Sequence, residues 1–123
     1  MTRRVTLAAV ADVIAIVVFV TIGRRNHDEG TAIDGIATVA APFLIGLVIG
    51  WLVARAWNRP TDVETAFIIW PVTVVVGMVL RNLVFDRGTA LPFIIVATIA
   101  TGAFLVGWRM IAAVAQRKIT QAR

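Results

Sequence analysis

The sequence predicts an all-α integral membrane protein, a bundle of four transmembrane helices, and three observations lead to this fold class. The chain has 123 residues, 59% of them hydrophobic, and a mean hydropathy of +0.89, which exceeds what a soluble domain of this length needs. Apolar runs of roughly 18 residues or more, long enough to cross a bilayer, recur along the chain. Charged residues cluster at the ends of these runs. Residues 1–123 are therefore expected to form a single membrane domain.

The first predicted span covers residues 5–22 and carries one acid, Asp12, near its centre. An acid in the middle of a spanning helix costs roughly 2.5 to 3.5 kcal/mol on insertion scales, so it needs a partner, a proton or water. The basic start and apolar run also resemble a secretory signal. Because Asp12 interrupts the run and no small-residue cleavage site follows, we expect a retained helix.

The other predicted spans cover residues 33–53, 63–85 and 91–114. Residues 23–35 are expected to form a loop, Pro60 and Thr61 a turn, and residues 116–123 a basic tail. Pro42 and Pro71 fall inside spans, where neighbouring groups can satisfy the freed carbonyl, so they predict kinks rather than breaks.

Basic residues predict the orientation. An even number of spans places both termini on one side, and the side richer in Lys and Arg is normally cytoplasmic. The termini and the second connection carry most of these residues: Arg3, Arg4, Arg55, Arg59, Arg109, Arg117, Lys118 and Arg123, against Arg24, Arg25, Arg81 and Arg87. We therefore expect a multi-pass protein of the plasma membrane with both termini cytoplasmic.

The positions of the basic residues also predict what they bind. A net charge of +5 in a soluble protein would suggest nucleic acid, but here it flanks spans and is expected to meet the headgroups of the lipid bilayer. The indole N–H groups of the four tryptophans are also expected to reach headgroups: Trp51, Trp57, Trp70 and Trp108.

An internal repeat predicts two related helical hairpins. The segment from Asp28 to Ile33 resembles the segment from Asp86 to Leu91. A Gly-Trp dipeptide follows each segment at nearly the same distance, at residues 50–51 and 107–108. Such parallel repeats occur in transporters, although duplication alone defines no function.

Asp12 and Arg109 are expected to meet inside the bundle. Each lies eight residues from a basic anchor, Arg4 or Arg117, which places both about 12 Å from the same membrane face. Two interpretations remain open: a structural ion pair, or a site for a proton or a transported cation. The candidate polar seam extends from this pair along two helices and comprises Asp12, Thr73, Arg81, Thr98 and Arg109. Arg81 could instead extend toward the outer surface.

Gly46 and Gly50 have the GxxxG spacing that allows two helices to approach closely. This stripe predicts helix packing inside the monomer, with docking of a partner as the alternative.

Catalytic and metal chemistry are not expected. The chain has no cysteine, and His27 stands beside Asp28 and Glu29 in a loop where three consecutive side chains do not converge easily on one metal. No phosphate-binding loop, catalytic triad or carboxylate pair occurs in the sequence. We predict no enzyme activity, no metal and no cofactor.

The order of the unusual residues resembles a known family. It runs from Asp12 through Gly23-Arg24-Arg25, His27, Pro42-Phe43, Gly46, Gly50-Trp51, Gly77, Arg81 and Phe93 to Gly107-Trp108-Arg109. This order is similar to that of a prokaryotic family of small four-span membrane proteins, known as domain of unknown function three thousand and fifty-four. The resemblance extends from Leu7 to Arg109. It implies a helical membrane fold and supplies no activity, substrate or catalytic residue.

Two function classes follow from these features. We favour an accessory or structural membrane subunit with a buried polar seam, acting as a homo-oligomer or with a larger membrane partner. The alternative is a small transporter or channel that uses Asp12 as a proton or cation site. In size, span number and first-helix acid, this alternative is similar to the small multidrug-resistance exporters.

Overall fold

The computed structural model describes residues 2–26, 33–83 and 91–122, and within these ranges the chain forms helices and no strand. The helices are α1 (Arg3–Asn26), α2 (Ile33–Ala54), α3 (Val63–Leu83) and α4 (Leu91–Ala122). All four are long and apolar enough to cross a membrane. The expected fold class, all-α with four membrane-spanning helices, is confirmed.

Two helices extend beyond the predicted spans. α1 continues to Asn26, so the first part of the expected loop is helical. α4 continues to Ala122, so the expected basic tail is helical through that residue. Hydropathy marks the part of a helix that dissolves in lipid, whereas alanine, glutamine, arginine and lysine favour helix in water as well. The helices also continue through Pro42 and Pro71.

The four helices pack around a common axis with neighbouring helices antiparallel. α1 packs against α2 and α4, and α3 packs against the same two helices. The start of α1, the α2–α3 connection and the end of α4 therefore lie at one end of the molecule. We call it the basic end, because it carries Arg3, Arg4, Arg55, Arg59, Arg117 and Lys118.

Glycines bring α2 against α3. A Cβ added to Gly46 would lie 2.7 Å from the carbonyl oxygen of Thr73, and one added to Gly50 would lie 3.1 Å from that of Ile69. Both glycines are buried. The stripe therefore contacts α3 within the chain, and it does not present a free face on which a partner could dock.

α2 ends at a residue whose backbone has the left-handed conformation. Arg55 has φ 51°, the amide of Arg55 donates to the carbonyl of Leu52 at 3.3 Å, and the amide of Ala56 donates to that of Trp51 at 3.0 Å. This pair of hydrogen bonds is the Schellman arrangement, in which glycine is the usual residue. It turns the chain back across the basic end and leads it to Pro60.

Aromatic side chains fill the interior away from the basic end. Phe43 is fully buried and packs edge-on against Phe19, with ring centroids 6.0 Å apart. Its other neighbour is Phe93 of α4, at 6.2 Å. Contacts of this kind join α1, α2 and α4 in one apolar core, and the polar site lies between that core and the basic end.

Candidate functional site

The structure brings Asp12 of α1 and Arg109 of α4 into direct contact. Nη1 of Arg109 donates to Oδ1 of Asp12 at 2.9 Å, and Nη2 donates to Oδ2 at 2.8 Å. The two side chains thus form a bidentate ion pair, and both are 0% exposed. The parallel geometry matches a planar guanidinium to a planar carboxylate, which makes such pairs stronger and more specific than single contacts.

Two tryptophans complete the shell of Asp12. Nε1 of Trp108 donates to Oδ1 at 2.7 Å, and Nε1 of Trp51 donates to Oδ2 at 2.8 Å. Each carboxylate oxygen therefore accepts one charged and one neutral N–H group. Two carboxylate oxygens offer about four lone-pair sites, so these donors use the full accepting capacity of the group.

Arg109 is held by backbone oxygens as well as by Asp12. Its Nε donates to the carbonyl of Pro60 at 3.0 Å, and Nη1 also donates to that of Leu105, one turn earlier in α4, at 3.0 Å. The guanidinium carbon lies 4.4 Å from the centroid of the Trp108 ring, within the range of a cation–π contact. The arginine therefore joins the α2–α3 connection to α1 and α4.

The residues around Asp12 in α1 explain how its short side chain reaches Arg109. Ala8, Ala15 and Ile16 lie three and four residues from Asp12, and all three are buried. Positions with this spacing share one face of a helix. The small alanines allow α1 to approach its neighbours closely enough for the short aspartate side chain to reach Arg109.

The electrostatic consequence is a neutral, closed unit. The opposite charges cancel in contact, and the two indole groups and two carbonyls supply the polar surroundings that water would otherwise provide. Removing water from two ions costs several kcal/mol each, which only good geometry and additional hydrogen bonds offset. The arrangement can therefore fix three helices and a connection against one another, and its carboxylate offers no free lone pair to a further ligand.

The rest of the candidate polar seam does not join this unit. The Arg81 guanidinium lies 3.9 Å from the centroid of the Phe93 ring. Arg81 is in the last turn of α3, far from the basic end, and is not among the described donors to Asp12. Thr98 Oγ1 donates to the carbonyl of Ile94 at 2.6 Å in its own helix. Thr73 is fully buried against α2. The structure therefore brings Asp12 and Arg109 together, and a continuous polar seam through Thr73, Arg81 and Thr98 stays a prediction.

Sequence reasoning missed the two tryptophans that bind Asp12. Their indole groups were expected to contact headgroups, but they donate to the carboxylate, and Trp70 Nε1 donates to the carbonyl of Thr98 at 2.8 Å. The repeated Gly-Trp dipeptides were a usable signal, because they place Trp51 and Trp108 at equivalent positions of the repeat. In the structure each of these tryptophans donates to one carboxylate oxygen of Asp12. The acidic segments of the repeat extend outside the described residues.

Metal ligands are not grouped in the part of the chain that the structure describes. No cluster of three His, Cys, Asp or Glu side chains occurs there. His27, Asp28 and Glu29 lie outside the described residues.

Four lipid-compatible helices, two of them joined by a buried ion pair, define a small four-span membrane protein. Residues 9–112 match the family described as "Protein of unknown function (DUF3054)", and the chain belongs to this family. The resemblance found in the order of residues is thereby confirmed. The chain matches no curated protein and no solved structure.

Proposed function

We propose that this chain is an accessory or structural membrane protein in which Asp12 and Arg109 form a permanent structural ion pair. One observation carries the proposal: both charges are 0% exposed, in bidentate contact. Two indole N–H groups occupy the remaining positions on the carboxylate. A charge that is fully satisfied by protein groups stabilises one arrangement of helices.

A transport site has a different requirement. A carboxylate that binds a proton or cation during a cycle has to exchange its protein partners for that ion or for water. At Asp12 such an exchange would displace Arg109 and leave two indole donors without an acceptor. An uncompensated buried charge typically costs about 3 to 5 kcal/mol, so this geometry favours a fixed pair.

One observation favours the alternative, a small transporter or channel that uses Asp12 as a proton or cation site. The hydroxyl groups of Thr73 and Thr101 are buried and have no hydrogen-bond partner among the described residues. Both lie farther from the basic end than the ion pair does. In a second conformation these groups would line a polar path that leads to Asp12.

We propose no enzymatic activity. An intramembrane acid contributes to catalysis when it can take or give a proton at a substrate. The accepting sites of Asp12 are used by Arg109, Trp51 and Trp108, and the residue is closed to solvent.

The proposed setting is the plasma membrane of a prokaryotic cell, with the basic end in the cytoplasm. The excess of arginine and lysine at that end supports this orientation. The proposed partners are the lipid bilayer and either further copies of the chain or a larger membrane protein. Because Gly46 and Gly50 pack against α3, such a partner would contact other lipid-facing surfaces.

A liposome experiment separates the two functions. The purified protein is reconstituted with a proton or potassium gradient, and flux is followed with an enclosed dye that is sensitive to pH or to potassium, respectively. We expect no flux above that of empty liposomes. We also expect Asp12→Asn to lower the unfolding temperature, because an amide cannot neutralise Arg109 and places an NH₂ group against N–H donors.

The matched control is Asp62→Asn, the same chemical change at a partly exposed acid that pairs with Arg59. It should leave the unfolding temperature nearly unchanged, because exposed pairs contribute about 0 to 1 kcal/mol. A gradient-driven flux that disappears in Asp12→Asn and persists in Asp62→Asn would refute the structural function and establish the alternative.

A further inference from the structure

A groove opens on the lipid-facing side between α3 and α4. It has a volume of about 460 Å³ and is lined by Phe67, Trp70, Pro71, Val74, Val75 and Thr98. No lining residue is charged. The volume falls within the range of roughly 300 to 1,000 Å³ that is usual for small-molecule sites. Phe67 and Val75 stand 54% and 61% exposed on this face, so a ligand can enter from the bilayer.

One residue of the groove has a backbone carbonyl that lacks its usual α-helical donor. Pro71 lies inside α3 and has no N–H group, so the carbonyl of Phe67, four residues earlier, receives no α-helical hydrogen bond from it. Both residues line the groove. In hydrocarbon an unsatisfied carbonyl is costly, and it therefore attracts a donor.

The polar side chains of the groove do not supply that donor. Nε1 of Trp70 donates to the carbonyl of Thr98 at 2.8 Å. The hydroxyl of Thr98 donates to the carbonyl of Ile94 at 2.6 Å. The side chains of the groove are thus apolar or hydrogen-bonded elsewhere, and none of the described ones donates to the Phe67 carbonyl.

We propose that this groove binds a lipid alcohol, a molecule with one apolar chain or ring system that ends in a hydroxyl group. The hydroxyl donates to the Phe67 carbonyl, and the apolar part lies against Trp70, Val74 and Val75. The Phe67 carbonyl is about 6 to 8 Å along α3 from its start, which is where the hydroxyl of a lipid alcohol can reach.

Ordinary phospholipids fit this site less well. Their phosphate and ester oxygens are acceptors, and the N–H or O–H donors that some of them carry are attached to a charged phosphate, which would have to enter the apolar groove with the donor. Among the described residues, no lysine or arginine lines the groove to bind their phosphate. The groove should therefore bind an alcohol more tightly than the corresponding methyl ether. The alcohol has a donor hydrogen, and the ether has none.

The experiment uses photo-crosslinking of the full chain in liposomes. The probes are a long-chain primary alcohol and its methyl ether, each with a diazirine in the chain, and the labelled residues are located by mass spectrometry. We expect the alcohol to label the groove residues about 2- to 10-fold more strongly than the ether, the ratio that one neutral hydrogen bond produces.

Pro71→Ala is the decisive variant, because alanine restores the N–H group that the Phe67 carbonyl lacks. The ratio of alcohol to ether labelling should fall to one in this variant. Pro92→Ala is the matched control: Pro92 is also exposed but lies in the first turn of α4, outside the groove, and its replacement should leave the ratio unchanged.

Val75→Trp tests the groove independently of the carbonyl. The larger side chain fills the space from the lipid side and should abolish labelling by both probes. Equal labelling by the two probes in the unmodified chain, an unchanged ratio in folded Pro71→Ala, or undiminished labelling in Val75→Trp would each overturn the proposal. If Pro71→Ala does not fold, the ratio in the unmodified chain and the result for Val75→Trp decide the matter.

Discussion

In the apolar interior, each oxygen of Asp12 accepts from one charged and one neutral donor. A pair of buried ions has a small net effect on stability when it is intact, since lost hydration offsets the attraction. Loss of one partner is different, because the remaining charge keeps its desolvation cost and loses its attraction. Replacement of one partner alone should therefore lower the stability of the protein more than replacement of both.

The first prediction concerns a double-mutant cycle on this pair. Arg109→Ala should lower the free energy of unfolding by about 3 to 5 kcal/mol, because it leaves Asp12 buried without a counter-charge. The double change Asp12→Asn with Arg109→Gln should cost less than Arg109→Ala alone, and less than the sum of its own two single changes. Unfolding free energies in detergent micelles, followed by circular dichroism, provide the measurement.

An exposed pair serves as the control for that cycle. Arg59 and Asp62 form an ion pair whose side chains are 63% and 36% exposed, and their coupling should stay within about 0 to 1 kcal/mol. Losses at Asp12 and Arg109 that simply add would show that the two residues do not interact in solution.

The second prediction concerns Arg55, which holds a left-handed backbone conformation at the end of α2. Non-glycine residues in this conformation carry a steric cost of roughly 1 to 2 kcal/mol that glycine avoids. Arg55→Gly should therefore stabilise the protein by about 1 kcal/mol in the same unfolding assay. Asn58→Gly, an exposed change in the same connection, is the control and should show no such gain. A loss of stability in Arg55→Gly would mean that its side chain contributes more than its backbone costs.

At the scale of the helices, hydropathy was sufficient to predict four spans but not their full lengths. The segment that follows Val114 is polar, so it gave no membrane signal, yet it remains helical through Ala122. The residues in that segment favour helix without needing lipid around them. Where a polar stretch continues a helix, its length has to be read from helix propensity as well as from hydropathy.

The third prediction concerns the contact between α2 and α3. Gly46→Ala places a methyl group 2.7 Å from a backbone oxygen that cannot move independently of its helix, so α2 and α3 must separate. We expect a loss of about 1 to 3 kcal/mol, as for other overpacked sites. Gly107→Ala is the matched control, because a Cβ there meets nothing within 4 Å. Equal effects of the two changes would show that the close approach of α2 and α3 does not limit stability.

The candidate site could be predicted only in part for reasons of geometry. Depth along a helix follows from residue counting, and this identified Asp12 and Arg109 as partners. The direction of a side chain around its helix depends on how the helices are rotated against one another. Thr73 and Arg81 share a stripe with Trp70, but Thr73 packs against α2, whereas Trp70 and Arg81 contact residues of α4. Helical spacing alone could not separate those directions.

For the whole molecule, the ion pair acts at the point where distant parts of the chain meet. Arg109 joins α4 to α1 through Asp12 and to the α2–α3 connection through Pro60. Arg4 adds a second contact at the basic end, where its Nη2 donates to Thr61 Oγ1 at 2.7 Å. The basic end is therefore cross-linked by polar contacts, whereas the core beyond it depends on apolar packing.

The fourth prediction tests the orientation of the whole molecule. Because the chain has no cysteine, single cysteines at Asn26 and Asn58 can be labelled without background. A membrane-impermeant thiol reagent added to intact cells should react with the first variant and not with the second, whereas both should react after the membrane is permeabilised. Reaction of both variants in intact cells would contradict four spans with cytoplasmic termini.

The order of Asp12 and Arg109 along the chain has a consequence for biosynthesis. Asp12 enters the membrane in the first helix, but Arg109 is 97 residues farther along. At roughly 5 to 20 residues per second, the ribosome needs about 5 to 20 s to make that distance. During this interval Asp12 lacks its counter-charge, and Trp51 is the first of its donors to be synthesised. A nascent chain that stops before Arg109 has an intramembrane acid without its counter-charge, so an incomplete molecule differs from a finished one in the charge balance of its membrane segment.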